Sequence, residues 1–191
     1  MELEKWKEKN KEAKKYAHFD EKVSLNKVWN YISKPENIMK HGFYPFIHYE
    51  KKFNKYKKKD GIGEVKEKSR DLCYSAHIDR YIYSYYGYLI NQSYDRYMEE
   101  KELNMVSVAY RDELGMNNIH FSKRAFDFIR STEQCYIIIG DFSHFFDCLE
   151  HAYLKERLCE VLKVNKLPED YYAVFKNLIK YSTWELQDLL K

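Results

Sequence analysis

Apolar positions along the chain recur with two periods, and the period decides each element. Ile78, Ile82, Tyr85, Leu89 and Ile90 repeat at helical spacing, which predicts one long helix over residues 78–99. Residues 2–18 (ELEKWKEKNKEAKKYAH) set Glu and Lys at helical distances with few apolar positions and predict a polar helix. Ser24 is a good N-cap and Pro35 a stop signal, so a second helix is expected from Ser24 to about Ser33. Partial alternation in VKEKSRDLCY predicts a strand over Val65–Tyr74, and MVSVAYR (105–111) reads as a shorter one. The run CYIIIGD (135–141) predicts a buried strand. Helices are expected near 121–130 and 150–163, from about Pro168, and across WELQDLL. Between the second helix and the first strand, MKHGFYPFIHYEKKFNKYKKKDGIGEV has an aromatic start, six lysines between 51 and 59 and a DGIG turn, and reads as a loop. The sum is a helix-rich α+β fold.

Composition agrees with a packed domain. The 191 residues include 19 Tyr and only three Pro and six Gly, and 17% are aromatic, so disorder is not the expected state. Cys73, Cys135, Cys148 and Cys159 show no paired metal-ligand spacing and nothing at the N-terminus reads as a signal peptide, so reduced thiols and a cytoplasmic location are expected. No apolar run approaches membrane-spanning length, so no membrane partner is expected. Net charge is +3, but residues 1–70 carry 19 Lys/Arg against 11 Asp/Glu while the remainder carry 14 against 19. That asymmetry fits either a polyanionic partner of the N-terminal part or a solvated helix face followed by a lysine-rich loop.

The strongest chemical signal is GDFSHFFDCLEH, starting at Gly140. A carboxylate at the C-terminal edge of a buried strand is costly unless something compensates it. Asp141 either caps the following turn or faces a divalent cation.

The residues around Asp141 resemble motif A of bacterial reverse transcriptases: an apolar strand ending in Asp, then an aromatic doublet, Asp, an aliphatic residue and His. The resemblance implies two-Mg²⁺ nucleotidyl transfer, with Asp141 as catalytic metal ligand and the Phe142 carbonyl as a further ligand. It makes Phe146, five residues later, the ring that excludes a ribose 2′-hydroxyl, against the alternative of ordinary core packing. Asp147 and His151 are expected to cap and orient the next helix. Upstream, KSRDLCYSAHIDRYIYSYYGYLINQSYD is similar to the first fingers motif and implies that Lys68 and Arg70 face the nucleotide triphosphate, a task suited to the planar Arg fork. VSVAYRDELGMNNIHFSKRAFDFI resembles the second motif, in which Arg111 would line the nucleotide or template channel and Lys123 and Arg124 could meet the backbone. HGFYPFI, HIDRYIYSYY and AYR are most similar to the abortive-infection and defence-associated branch. The Lys51–Lys59 tract fits a salt-sensitive phosphate contact there.

The implied architecture is a right-hand polymerase's fingers and the start of its palm, incomplete. Residues 1–60 would form a basic helical extension, 61–134 a fingers-like region, and 135–191 the truncated palm with motif A. The implied partners are an RNA template, a DNA or RNA primer and dNTPs. The family also needs a Tyr-x-Asp-Asp turn, and no Asp-Asp pair occurs in these residues, so this chain alone is expected to be inactive. Two other readings stand beside the polymerase: a non-catalytic nucleic-acid-binding module, and a helical interaction protein whose motif match is accidental. No Gly-Gly-Asp/Glu turn supports a nucleotidyl cyclase.

Overall fold

Ser24 and Pro35 bound a helix as their chemistry requires: α2 (Leu25–Ile32) follows an extended Ser24 (φ −96°, ψ 156°) and ends at Ser33, whose hydroxyl donates to the Trp29 carbonyl at 2.7 Å. Leu25, Val28 and Ile32 form its buried stripe. Pro35 opens the single turn α3 (Pro35–Ile38), where a missing N–H costs nothing. The computed structural model describes residues 2–59, 62–109, 111, 114–146 and 148–190, apart from the side chains of Lys57, Lys59 and Ile62. Asp60 and Gly61 of the expected turn, Tyr110 and Asp147 lie outside the described residues.

The other elements are α1 (Leu3–Asn10), β1 (Phe46–Lys59), β2 (Ile62–Tyr74), α4 (His77–Glu100), α5 (Asn118–Ser131), α6 (His151–Leu162), α7 (Glu169–Ile179), β3 (Thr183–Glu185) and α8 (Leu186–Leu189). Among the described residues this is an α+β fold of eight helices and one mixed three-stranded sheet. No helix in them is long and apolar enough to cross a membrane. The chain divides into two compact units, one of Lys7–Tyr86 with Pro168–Lys191, the other of Met1–Trp6 with Gly87–Leu167.

In the unit containing the sheet, the strand order is β2-β1-β3, with β1 and β2 antiparallel and β1 and β3 parallel. The lysine-rich stretch is therefore a strand and not a loop. Its composition disfavours a strand, but thirteen register pairs from Ile47–Tyr74 to Lys59–Ile62 satisfy the backbone, and most of the side chains beyond Glu50 lie in solvent, where Lys costs little. Trp184 and Glu185, expected in a helix, instead extend along Ile47 and His48. His48 Nδ1 lies 2.9 Å from Glu185 Oε1, and this hydrogen bond raises the imidazole pKa above its ordinary value.

The polar N-terminal helix stops at Asn10 rather than continuing to residue 18. Beyond it the chain becomes a strap with tertiary duties that override helix propensity. Tyr81 donates to the carbonyls of Glu12 (3.5 Å) and Val23 (3.3 Å), and Tyr74 to that of Ala17 at 2.9 Å. Tyr16 stacks on the His77 ring at 4.3 Å. Asp20 accepts from the amides of His77 (3.0 Å) and Ile78 (3.1 Å) and from His77 Nδ1 (2.8 Å), so a residue 57 positions upstream caps the start of α4. On the same first turn, the fully buried Asp79 accepts from His41 Nε2 at 2.8 Å and from the Tyr44 amide at 2.9 Å. Elsewhere in the unit Tyr86 donates to Asp170 at 2.7 Å, and Tyr83 donates to Asn177.

The strap makes stability acid-sensitive. Burial pushes His18 below 6.5, and its Nδ1 accepts from the Phe19 amide, which a proton there would break. Burial alone would raise the Asp20 carboxyl, but the hydrogen bonds from His77 and Ile78 outweigh it and hold it below 3.8. At both groups the folded chain binds fewer protons than the unfolded one, so stability rises with pH. The share from these two groups is complete above 6.5, falls first as His18 loses its advantage and falls again below 3.8, whereas the raised His48 contributes stability that is lost as the pH rises past 6.5. Urea melts across this range should show the loss beginning near 6.5, and His18→Gln should remove that upper part while leaving the lower. A stability flat down to the carboxylate range would contradict the assignment.

The second unit buries Trp6, Tyr88, Met98 and Leu167. Trp6 packs on Tyr88 with ring centroids 5.9 Å apart, and Tyr97 of α4 donates to Glu160 of α6 at 2.7 Å. Two expected strands are missing here. The described part of 105–111 is turn and irregular chain, fastened by Tyr94–Ser107 (2.7 Å) and by Arg111. Residues 135–141 are irregular and exposed, with Tyr136 at 101%, Ile138 at 94% and Ile139 at 92%. No strand among the described residues pairs with them, and without a ladder an apolar run cannot become a strand.

Candidate functional site

The segment after Gly140 builds a small aromatic recess at the surface. Asp141, Phe142, His144, Phe145 and Phe146 line it. His144 adopts a left-handed conformation (φ 52°), unusual for a residue with a side chain, and the turn is closed by the Cys148 amide on the His144 carbonyl at 3.1 Å. The rings form a chain, Phe142 to Phe145 at 6.0 Å and Phe145 to Phe146 at 5.4 Å. Phe146 is 74% exposed, so core packing does not explain it in this unit. Asp141 is exposed, and no described residue pairs with its carboxylate.

The next helix is capped by a residue that the sequence signals did not single out. Glu150 accepts from the amides of Ala152 (3.1 Å) and Tyr153 (2.6 Å), while His151 is the first residue of α6. Asp147 lies outside the described residues. Glu was missed because Asp, Asn, Ser and Thr are the stronger N-cap signals.

A carboxylate oxygen suits a hard cation such as Mg²⁺, which is commonly held by one or two carboxylates together with substrate phosphates. Asp141 fits as one such ligand. Among the described residues no group of three His, Cys, Asp or Glu is placed to hold a metal.

Arg111, expected to line a nucleotide or template channel, is held at three points. Its guanidinium, 8% exposed as a residue, donates to Asp95 Oδ1 at 2.7 Å, Asn104 Oδ1 at 2.8 Å and the Ser107 carbonyl at 3.4 Å. This fork ties the 104–111 segment to α4. Lys123 pairs with Asp127 along α5, and Arg124 reaches the Met105 sulfur at 3.8 Å. All four cysteines are free thiols, three of them exposed.

The other charged feature is the hairpin of β1 and β2, which belongs to the sheet unit. Residues paired across the ladder project to the same face, and alternate pairs to opposite faces. One face therefore carries Lys51 opposite Arg70, Phe53 opposite Lys68, and Lys55 opposite Lys66. The other carries Glu50 opposite Asp71, Lys52 opposite Ser69, Asn54 opposite Glu67 and Tyr56 opposite Val65. Lys68 and Arg70 thus share a side, and the Arg70 guanidinium lies over the Phe53 ring at 5.2 Å. The i, i+2 spacing of Lys66, Lys68 and Arg70 is the sequence signal for this face, and it becomes informative once 51–59 is a strand. No known protein family matches the sequence, and no curated protein matches it.

Proposed function

We propose that this chain is the fingers and first palm segment of an RNA-directed DNA polymerase, with Asp141 as its metal-binding carboxylate. The observation that carries the reading is the recess itself: an exposed carboxylate that no described residue pairs, beside three phenylalanines and next to a left-handed His144. Backbone outliers of this kind cost about 1–3 kcal/mol and cluster where function requires them. When bound, Mg²⁺ supplies charge neutralisation for the transferring phosphate. Asp141 offers it an oxygen ligand and Phe146 limits the space beside the sugar; on the other unit, Lys68 and Arg70 offer their charge to a phosphate. Arg111 acts by ordering its own segment. The strand expected at 135–141 forms in this reading when a neighbouring palm strand supplies its ladder.

The basic hairpin favours a second reading, a nucleic-acid-binding module without chemistry. Primer extension separates them: the protein from its full reading frame, an RNA template, an annealed primer, dNTPs and Mg²⁺. Templated DNA synthesis supports the polymerase, and salt-dependent RNA binding with no synthesis under any priming supports the module. In the first case Phe146→Ala should raise ribonucleotide incorporation about a hundredfold with little change for dNTPs, since a removed clash is worth a few kcal/mol. Unchanged sugar discrimination would remove Phe146 from the role of gate.

A further inference from the structure

We propose that the basic face of the β1–β2 hairpin is a rail for the sugar–phosphate backbone of a nucleic-acid strand, with Lys51, Lys55 and Lys66 as its contacts beyond Lys68 and Arg70. The inference deepens the nucleic-acid reading above and rests on it only for the sign of the partner. Its ground is an energetic anomaly in the ladder. Like charges directly opposite one another across an antiparallel pair are destabilising, yet two of three consecutive same-face positions are such pairs, Lys51–Arg70 and Lys55–Lys66, and the pair between them, Phe53–Lys68, adds a fifth cation.

The reverse face shows how the same ladder handles like charge when it is compensated. Glu50 and Asp71 are also opposed, but Lys52 reaches Glu50 at 3.8 Å and His48 reaches Asp71 at 3.4 Å. Among the described residues no carboxylate pairs with Lys51, Lys55, Lys66, Lys68 or Arg70. Five cations on one face, spread from the 51–70 pair to the 55–66 pair, cover about 13 Å along each strand. That is more than one triphosphate occupies, and a string of phosphates answers it. An extended ribbon with regularly repeated cations matches a ligand whose charge also repeats along a line. Arg70, seated over Phe53, is the fixed point of the row.

The two faces supply the test, because equal charge can be removed from either. Lys55→Gln with Lys66→Gln clears part of the proposed rail, and Lys52→Gln with Lys58→Gln takes the same charge from the other side. Both leave Lys68 and Arg70 in place. The probe is a fluorescein-labelled single-stranded RNA homopolymer, followed by anisotropy over a salt series with the whole chain, with circular dichroism to check folding. The rail pair should weaken binding about tenfold near 0.1 M salt and make the slope of log K against log salt shallower by about 1.4, the share of two phosphate contacts on a single strand. The control pair should change neither. Equal losses from both pairs would show a diffuse net-charge effect and overturn the rail, as would no loss from the rail pair. Wild-type protein that ignores RNA but binds phosphatidylserine vesicles would replace the partner by an anionic lipid surface. The polymerase reading is judged separately, with the protein from its full reading frame: RNA binding through the rail with no primer extension leaves the rail standing and removes the polymerase, and primer extension with an unaltered rail-pair isotherm does the reverse.

Discussion

On the polymerase reading, Asp141→Ala in the protein from its full reading frame should abolish templated DNA synthesis while leaving the fold untouched. The residue is exposed and pairs with no described side chain, so its removal should alter stability by less than about 0.5 kcal/mol. Its carboxylate is the acid of the Phe142–Phe146 recess, and loss of a metal ligand removes several kcal/mol of transition-state stabilisation, about a thousandfold or more in rate. The measurement is single-turnover primer extension with saturating dNTP, paired with a thermal melt of the same preparation. Asp141→Asn should lose nearly as much, since it keeps the shape and removes the charge. Synthesis within tenfold of wild type in either variant would take Asp141 out of the chemistry. A lowered melting temperature would instead make it structural, a capping residue as its position alone also permits.

Asp79→Ala should be the most destabilising single change in the sheet unit. The side chain is fully buried and is the acceptor for two donors from the 41–44 segment, His41 Nε2 and the Tyr44 amide. Truncation leaves both donors without a partner, a loss of about 3 kcal/mol. For a chain of this size that corresponds to a fall of roughly 10 °C in melting temperature. Asp79→Asn keeps an acceptor for one donor and should cost about half as much. Urea melts of the pair give the decisive comparison. Equal costs would show that charge, rather than acceptor capacity, holds the segment.

Helices with a dense apolar period were legible in the sequence. α4 was expected over 78–99 and runs His77–Glu100, and α2 sits between Ser24 and Pro35 because a cap and a stop act locally. Local rules could not reach the elements decided by distant partners. Residues 11–18 satisfy helical charge spacing, but Asp20, Tyr74 and Tyr81 hold the surrounding chain out of a helix. The lysines of 51–59 look like loop until VKEKSRDLCY pairs with them. Ile137–Ile139 look like a buried strand, but burial is a property of neighbours, which the described residues do not provide. Within the recess, the grouping of Asp141 with three rings was legible because it lies in consecutive residues. The capture of Arg111 by Asp95 was not, since nothing in AYR announces a partner sixteen positions earlier.

The open run Tyr136–Ile139 also sets the conditions under which the chain can be handled. With its flanking Cys135 and Gly140 it makes six uncharged residues without Pro, their main-chain groups unpaired by any strand among the described residues, which meets the sequence requirements of a steric zipper. Two molecules that align these segments gain hydrogen bonds and bury isoleucines at once, and a stack of such pairs has no natural end. Light scattering should therefore rise with protein concentration, and the binding and extension measurements belong at the dilute end of that curve.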